Sequence, residues 1–430
     1  MKTPPIDLNA RLQTRYGVLL QQYSAPAHPL ASGLRALPDG SQAFAATQAA
    51  WRFFRNPQVT LPALCQPLQE HTRQMIAAHH MDYLLIVHDW SWLDFNGHLS
   101  KKDRKAHSHQ RALGYDLLSS LAVSGQTGAP LAPVFMALES AEGVYTSTTA
   151  ACQPAFASHQ EALLAQIAAV ESLTLPACCV HIIDREADSV ANYRALASAE
   201  WVFVIRAKDN QHAEVDGERV PLRALPAPLT WKAVRPVSYH GHPAQQYVAE
   251  TALVLTRPYV RKRAGKQETI AGPPVALRLI VSQIRSEAGE VLAVWYLLSN
   301  APETVSAATL ALWYYWRWQI ECYHKLLKSA GWQLEDWQQE SASALVKRLA
   351  VVAMAAALVW ALQQSPSPEA AVLREELVRL SGRQMKRGRR VTAPALLSGL
   401  WLLLSAVELL ERYTPDQLRA LAQQASGFRS

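Results

Sequence analysis

Residues 313–332 read WYYWRWQIECYHKLLKSAGW, and their polar groups are spaced as if for a site: Tyr314, Arg317, Glu321 and Lys328 stand at offsets of three, seven and fourteen. At helical pitch these four side chains share one face, within an arc of roughly 60°. One carboxylate beside a phenol, a guanidinium and an ammonium suits a place where a metal and phosphates are held together. The spacing also allows a plain reading, a solvated helix face on which Glu321 pairs with Arg317 and contributes about a few tenths of a kcal/mol. Trp313, Tyr315, Trp316, Trp318 and Tyr323 flank the charged face, and aromatic density beside cations is more typical of a nucleic-acid surface than of a core helix.

A single glutamate cannot hold two divalent ions, so a metal nuclease needs further carboxylates that the fold brings near Glu321. Two stand out. In LLIVHDW, Asp89 follows a buried apolar run, and in VHIIDREAD, Asp184 ends another. A carboxylate at the end of a buried strand is rigidly placed, as coordination requires. Either aspartate alone could equally start a turn or cap a helix. Asp94, in an expected turn, and Asp188, one turn into a helix, read as supporting or structural groups.

The 430 residues leave room for about two to four structural units, and a chain that is 50% hydrophobic and 18% charged has the composition of a globular protein. A formal charge of +7 and a pI near 9.1 favour a polyanionic partner. Cys65, Cys152, Cys178, Cys179 and Cys322 lack the spacing of a zinc site or a disulfide framework and read as small core residues in a reducing cytoplasm. The opening MKTPPIDLNARL has no apolar run, so secretion is not expected. Residues 349–362 form the longest candidate membrane segment, which is short enough to read as a buried core helix.

Along the chain, residues 1–75 read as helical, with Leu12, Tyr16, Leu19, Leu20 and Tyr23 at helical spacing and a second helix closing at FRNP, where Arg52 and Arg55 are candidates for phosphate contact. Residues 76–210 alternate strand-like runs at 84–87, 117–123, 133–138 and 178–183 with a helix near 161–170, which predicts a mixed sheet with helices packed on it. Residues 211–304 carry further strand-like runs, QQYVAETALVLT, VALRLIVSQI and VLAVWYLLS, and the basic loop Arg261, Lys262, Arg263 and Lys266, and predict a mostly antiparallel β-rich insertion. Residues 305–365 return to helix, and 366–430 are helical apart from a basic break between Arg383 and Arg390. The class is therefore α/β.

At these residues the chain resembles the hairpin-forming, cut-and-paste transposases of the insertion sequence four family, whose signature is tyrosine, two residues, arginine, three, glutamate, six, lysine. Tyr314, Arg317, Glu321 and Lys328 match it in full. FRNP at 54–57, IVHDW around Asp89, DREAD at 184–188, FVIRAK at 203–208 and RWQIECYHK at 317–325 follow in the same order, so the likeness runs from about residue 7 to about residue 362. It implies an RNase H-like catalytic domain interrupted by a β-rich insertion, a helical end-binding domain before it and a helical region for homodimerisation after it. It implies Asp89, Asp184 and Glu321 as catalytic acids and ligands of two magnesium or manganese ions. Tyr314, Arg317 and Lys328 would contact the phosphates of the cleaved end. Trp295, in VWYLLSN, would hold a base flipped out to relieve a hairpin. His88, Trp90 and Trp92 depart from the small hydroxylated residues expected near the first aspartate, and beyond residue 365 the similarity is weak.

The chemistry expected is phosphodiester hydrolysis by two ions about 4 Å apart, then hairpin formation and strand transfer on double-stranded DNA, at transposon terminal repeats and at a target, in a prokaryotic, nucleoid-associated setting. Trp318 would support Trp295 as a stacking platform, and Arg206 and Lys208, alternating along one strand, would both face the DNA with Lys325 nearby. Two rivals stand against this: a DNA-binding regulator without catalysis, which has no use for three carboxylates near phosphates, and a carboxylate-pair glycosidase, which leaves the basic balance unexplained.

Overall fold

The computed structural model describes residues 5–24, 40–107, 111–263, 266–383 and 391–426. The breaker-rich run after Ser24, the side chains of the basic loop Arg261, Lys262, Arg263 and Lys266, and the basic break from residue 384 to Arg390 lie outside the described residues.

Three helices open the chain, α1 (Ala10–Ser24), α2 (Gly40–Arg55) and α3 (Leu61–His79). Thr60 caps α3 by accepting the Ala63 N–H at 3.3 Å, and the helix stops at His80, whose φ of 48° is left-handed. There follow β1 (Tyr83–Asp94), β2 (Lys105–Ala106), β3 (Leu113–Ser124), β4 (Pro130–Ser140), β5 (Gly143–Thr146), α4 (His159–Glu171), β6 (Cys178–Ile183), α5 (Val190–Ser198) and β7 (Val202–Ala207). Strands β4, β3 and β1 form an antiparallel meander, and β6 and β7 lie parallel to β1, reached through the crossover helices α4 and α5. The order β4-β3-β1-β6-β7 is the RNase H-like arrangement, in a mixed sheet flanked by helices.

The next strands are β8 (His212–Val215), β9 (Glu218–Pro221), β10 (Lys232–Tyr239), β11 (His242–Leu255), β12 (Tyr259–Arg263), β13 (Lys266–Ile270), β14 (Val275–Ser286) and β15 (Val291–Ser299). All their pairings are antiparallel, as the sequence predicts. This region does not stand apart, because β15 pairs with β7 and prolongs the same sheet to thirteen strands. Asn300 staples the junction, accepting the Phe203 N–H at 2.9 Å and donating to the Trp201 carbonyl at 2.9 Å.

The chain ends in α6 (Ala307–Tyr315), α7 (Trp318–Lys325), α8 (Ala342–Gln364), α9 (Pro368–Leu380), α10 (Ala393–Arg412) and α11 (Pro415–Ser426). Alternation along β1 divides the interior: Leu85 and Val87 face the main core with α1, α3 and α8, while Leu84 and Ile86 face a smaller core under α4. Helices α8 and α10 are both long and apolar enough to cross a membrane by length and composition, and α8 is mostly buried in the main core.

Several expectations need correction. The signature stretch is not one helix: α6 stops at Tyr315, 3₁₀-type bonds from Arg317 N to Tyr314 O and from Gln319 N to Trp316 O tighten the chain, and α7 gives way to a π-helical turn at Leu326–Ala330. Of the cysteines only Cys65 is buried, while Cys152, Cys178 and Cys322 are exposed, so the core reading holds for one. The others concern Asp89, Asp94 and Lys208.

Candidate active site

The last pair shared by the parallel strands β1 and β6 is Val87 with Ile182. Two residues further along each chain come Asp89 and Asp184, so the register sets these acids level with each other at the carboxyl edge of the sheet. Asp89 does not end its strand, as the sequence suggests. It pairs with Ser119 of β3, and β1 runs on to Asp94. Asp184 does follow β6 directly and also caps the next turn, its Oδ1 accepting the Arg185 N–H at 2.6 Å.

Glu321 lies in the first turn of α7, which packs against β1. Arg317 Nη2 donates to Glu321 Oε1 at 2.6 Å and stands 3.9 Å from Asp184 Oδ2, so one guanidinium lies between two of the acids. Arg206 Nη1 is 3.8 Å from Asp184 Oδ1, and the Tyr314 hydroxyl donates to the same oxygen at 3.3 Å. The Asp89 carboxyl is raised to about 6, by burial first and by the charges of Glu321 and Asp184, against the pull of Arg317 and of the Trp90 N–H, which Asp89 Oδ1 accepts at 2.9 Å. Burial and the Asp184 charge push the Tyr314 phenol up to about 12, so it stays protonated and remains a donor. Burial works against the Arg317 charge, yet Tyr314, Asp184 and Glu321 around it raise its pKa overall.

Lys328 sits on the π-helical turn that follows α7. Its ammonium donates to the Trp92 carbonyl and lies 3.2 Å from Glu335 Oε1, which also accepts the Asp94 N–H at 3.0 Å. Lys328 therefore holds the far end of β1. Among the other predicted residues, Trp318 is 62% exposed and Lys325 is exposed beside it on α7. Lys208 is exposed but lies one residue past β7, so it does not alternate along that strand with Arg206 as expected. Arg52 is exposed at the end of α2; Arg55 stacks 4.1 Å over Trp51 and pairs with Glu340. Trp295 is half-buried on β15, packed against the main core. Asp188 is structural, accepting the Tyr193 hydroxyl at 2.9 Å and the Lys208 N–H at 2.8 Å. Asp94 does not sit in a turn as expected but ends β1, paired with Gly114, and accepts the Asn96 N–H of the turn that follows at 2.8 Å.

Sequence reasoning missed a buried chain of side chains beneath the acids. Ser120 Oγ meets His88 Nδ1 at 3.1 Å, His88 Nε2 meets His181 Nδ1 at 2.8 Å, and His181 Nε2 meets Glu171 Oε1 at 2.8 Å. This ties β3, β1, β6 and α4 together next to Asp89 and Asp184. The signal was present, since each of the two buried apolar runs carries one histidine. Burial, then the neighbouring His181, keeps His88 well below its ordinary pKa.

His324, on the inner face of α7, is buried as well, and burial with the nearby Lys328 charge lowers its pKa to about 3. Below pH 6.5 the unfolded chain binds a proton there that the folded chain refuses, so this residue makes stability fall with pH, by about 1.4 kcal/mol per unit, down to about pH 3. Urea midpoints of the wild type and His324→Gln at pH 7 and pH 5 should show the variant losing about 2 kcal/mol less. Groups common to both proteins, Asp89 included, cancel in that comparison. Equal losses would show that His324 is not held neutral.

Residues 147–358 match the family model described as the transposase DDE domain. The matched span holds Asp184, Trp295, Tyr314, Arg317, Glu321 and Lys328 and begins after Asp89. No curated protein matches the chain. Among solved structures the chain is similar to piggyBac transposase in a synaptic complex with hairpin DNA, at 11% identity, over 98% of this chain and 76% of that one, with a TM-score of 0.39. That likeness is too loose to transfer any residue. The domain match supports a DDE transposase, a class that acts in DNA transposition and uses divalent metals.

Proposed function

We propose that the chain is a cut-and-paste DNA transposase of the insertion sequence four type, which frees a transposon end by hydrolysis, hairpin formation and hairpin opening and then joins it to a target. One observation carries the reading: Asp184 and Glu321 share a single guanidinium at the sheet edge where Asp89 stands level with Asp184, and the charges of both press on Asp89.

The donor set fits hard divalent cations, since it consists of carboxylate oxygens at a rigid sheet edge and on a helix packed against it. Among the described residues no three His, Cys, Asp or Glu side chains stand as a ready-made cage. Instead Arg317 supplies positive charge to two of the acids, so metal and guanidinium compete for the same oxygens. Asp89, Asp184 and Glu321 would hold magnesium or manganese, two ions in this reading, which when bound would activate a water and stabilise the leaving alkoxide.

The protein's own groups do the rest. Tyr314, fixed in its protonated form, orients Asp184 by donating to it. Arg206 and Arg317 supply cations to the phosphates beside the acids, while Lys328 keeps the end of β1 in place. Exposed Trp318 and Lys325 offer a stacking face and a charge to a strand passing over α7. Trp295 is the platform for a flipped base, with Arg52 and Arg55 touching the DNA end from α2. A homodimer on paired transposon ends, in a prokaryotic nucleoid, completes the reading.

Incubating the full chain with supercoiled plasmid in magnesium or manganese should produce nicks, and with end-containing duplexes hairpin fragments that run at double length on a denaturing gel. Excess EDTA should stop both. A chain that retains DNA on a filter but never nicks it under either metal would be a binding protein, and the proposal would fail.

A further inference from the structure

Behind the acids, on the opposite face of the sheet, lies a cavity of about 660 Å³. Neighbouring strand residues point to opposite faces, so while Asp89 turns toward α7, Trp90 turns toward α4 and lines this cavity with Trp92. Each tryptophan has a histidine edge against it: Trp90 with His159 at 4.8 Å and 61°, Trp92 with His107 at 4.7 Å and 87°. The far wall is Asn192 and the turn that follows Asp184.

The chemistry of the lining excludes a phosphate. Among the described residues its one lysine, Lys105, is committed to Asp116 at 2.7 Å and Glu139 at 3.0 Å, and no arginine lines it. Two polar groups are instead left over. Asn192 is 2% exposed; its amide nitrogen donates to the Ala187 carbonyl at 2.9 Å, which fixes its orientation, and its Oδ1 has no donor among the described residues. The Trp92 indole N–H is buried and has no acceptor among them either. Burying an unmatched acceptor and an unmatched donor is unfavourable, and an occupant that drew both groups toward the cavity would relieve it.

We propose that this cavity receives one nucleobase, unstacked from a DNA strand that runs along the carboxylate edge. Indole walls match the face of a base, Asn192 Oδ1 matches an exocyclic amine, and the Trp92 N–H matches a ring nitrogen. The proposal rests on the reading of the chain as a DNA enzyme, but it uses a different face of the sheet from Trp295 and Trp318. It also gives a role to the two tryptophans that break the family pattern after Asp89.

The test uses the full chain and random-sequence single strands carrying one 5-iododeoxycytidine, a base that crosslinks to aromatic side chains on irradiation. Peptide mapping should place crosslinks on Trp90 or Trp92. An abasic position in place of the iodinated base should weaken binding by roughly 5- to 150-fold, the range of one stacked base, and Trp90→Leu should erase that difference. Mapping needs no variant, so misfolding of Trp90→Leu cannot mask the answer. Crosslinks confined to other aromatics such as Trp318, with DNA still retained, would overturn the pocket and leave the parent reading standing. No DNA retention at all would overturn both.

Discussion

Asp89→Asn, Asp184→Asn and Glu321→Gln should each lower metal-dependent nicking by at least about 10²- to 10³-fold, the scale lost when one preorganised charge-stabilising group is removed from a catalytic site. DNA retention on a filter should fall by less than about tenfold, because backbone affinity comes from lysine and arginine rather than from carboxylates. The isosteric amides leave the backbone in place. Asp184→Asn keeps an oxygen for the Arg185 N–H and Tyr314, and Glu321→Gln keeps an acceptor for Arg317. The three losses should not multiply, since groups that act together fail together. A double variant cutting about as poorly as either single one is expected. If one of the three variants cuts at the wild-type rate, that residue leaves the catalytic set. If all three cut normally, the assignment of chemistry to this sheet edge is wrong.

The carboxylate edge could be read from spacing because each of its parts is local. The run 84–88 and the run 178–183 announce buried strands, and the carboxylates after them need only be parallel neighbours to become level, which the Val87 to Ile182 pair arranges. The length of β1 could not be read this way. WSWLD carries no strong strand signal beyond its tryptophans, and it is extended because β3 pairs with it as far as Asp94 with Gly114. Nor was the break between α6 and α7 visible, for no glycine or proline marks it. It coincides with a distant contact: Trp316 packs over Gly128, where a Cβ would meet the indole at 2.4 Å, and Gln319 donates to the Gly128 carbonyl at 2.9 Å. Gly128 has a φ of 70°, so this turn between β3 and β4 takes glycine both for its backbone angle and for the ring above it. Contacts of this kind are spread across nearly two hundred residues of chain and leave no periodic trace.

The break changes what the signature means physically. On a single straight helix Tyr314, Glu321 and Lys328 would stand in one row, whereas here they sit on α6, on α7 and on a π-helical turn. Each meets a different part of the sheet edge: Tyr314 reaches the Asp184 side, Glu321 packs with α7 against β1, and Lys328 grips the carbonyl of Trp92. The spacing thus distributes the three groups along the sheet edge.

Arg348→Ala should cost about 3–5 kcal/mol of folding stability. Arg348 on α8 is 3% exposed, lies 3.8 Å over the Trp337 ring and 5.2 Å from that of Tyr23, and donates to Gln339 Oε1 at 2.9 Å. Burial lowers its pKa to about 10, so it is still charged at neutral pH. Truncation removes a desolvated cation–π contact worth about 2 kcal/mol, opens a cavity between two aromatics and strands a glutamine oxygen. Arg348→Met fills the same stem volume without the charge and should lose less than half as much, because replacing a buried charge by a well-packed apolar chain is often nearly neutral. Urea midpoints of the two variants measure the difference. The effect should extend to catalysis through the segment between α7 and α8. There the Trp337 and Gln339 carbonyls hold the Lys101 ammonium at 2.7 and 2.5 Å, Asp103 accepts the Ala342 N–H at 2.7 Å, and Glu335 holds both Lys328 and the end of β1. Loosening that segment frees Lys328 and β1 while leaving the three acids chemically intact. Arg348→Ala, assayed well below its unfolding transition, should therefore nick DNA more slowly than Arg348→Met. Equal nicking rates for the two would mean that Arg348 supports the fold without positioning the site.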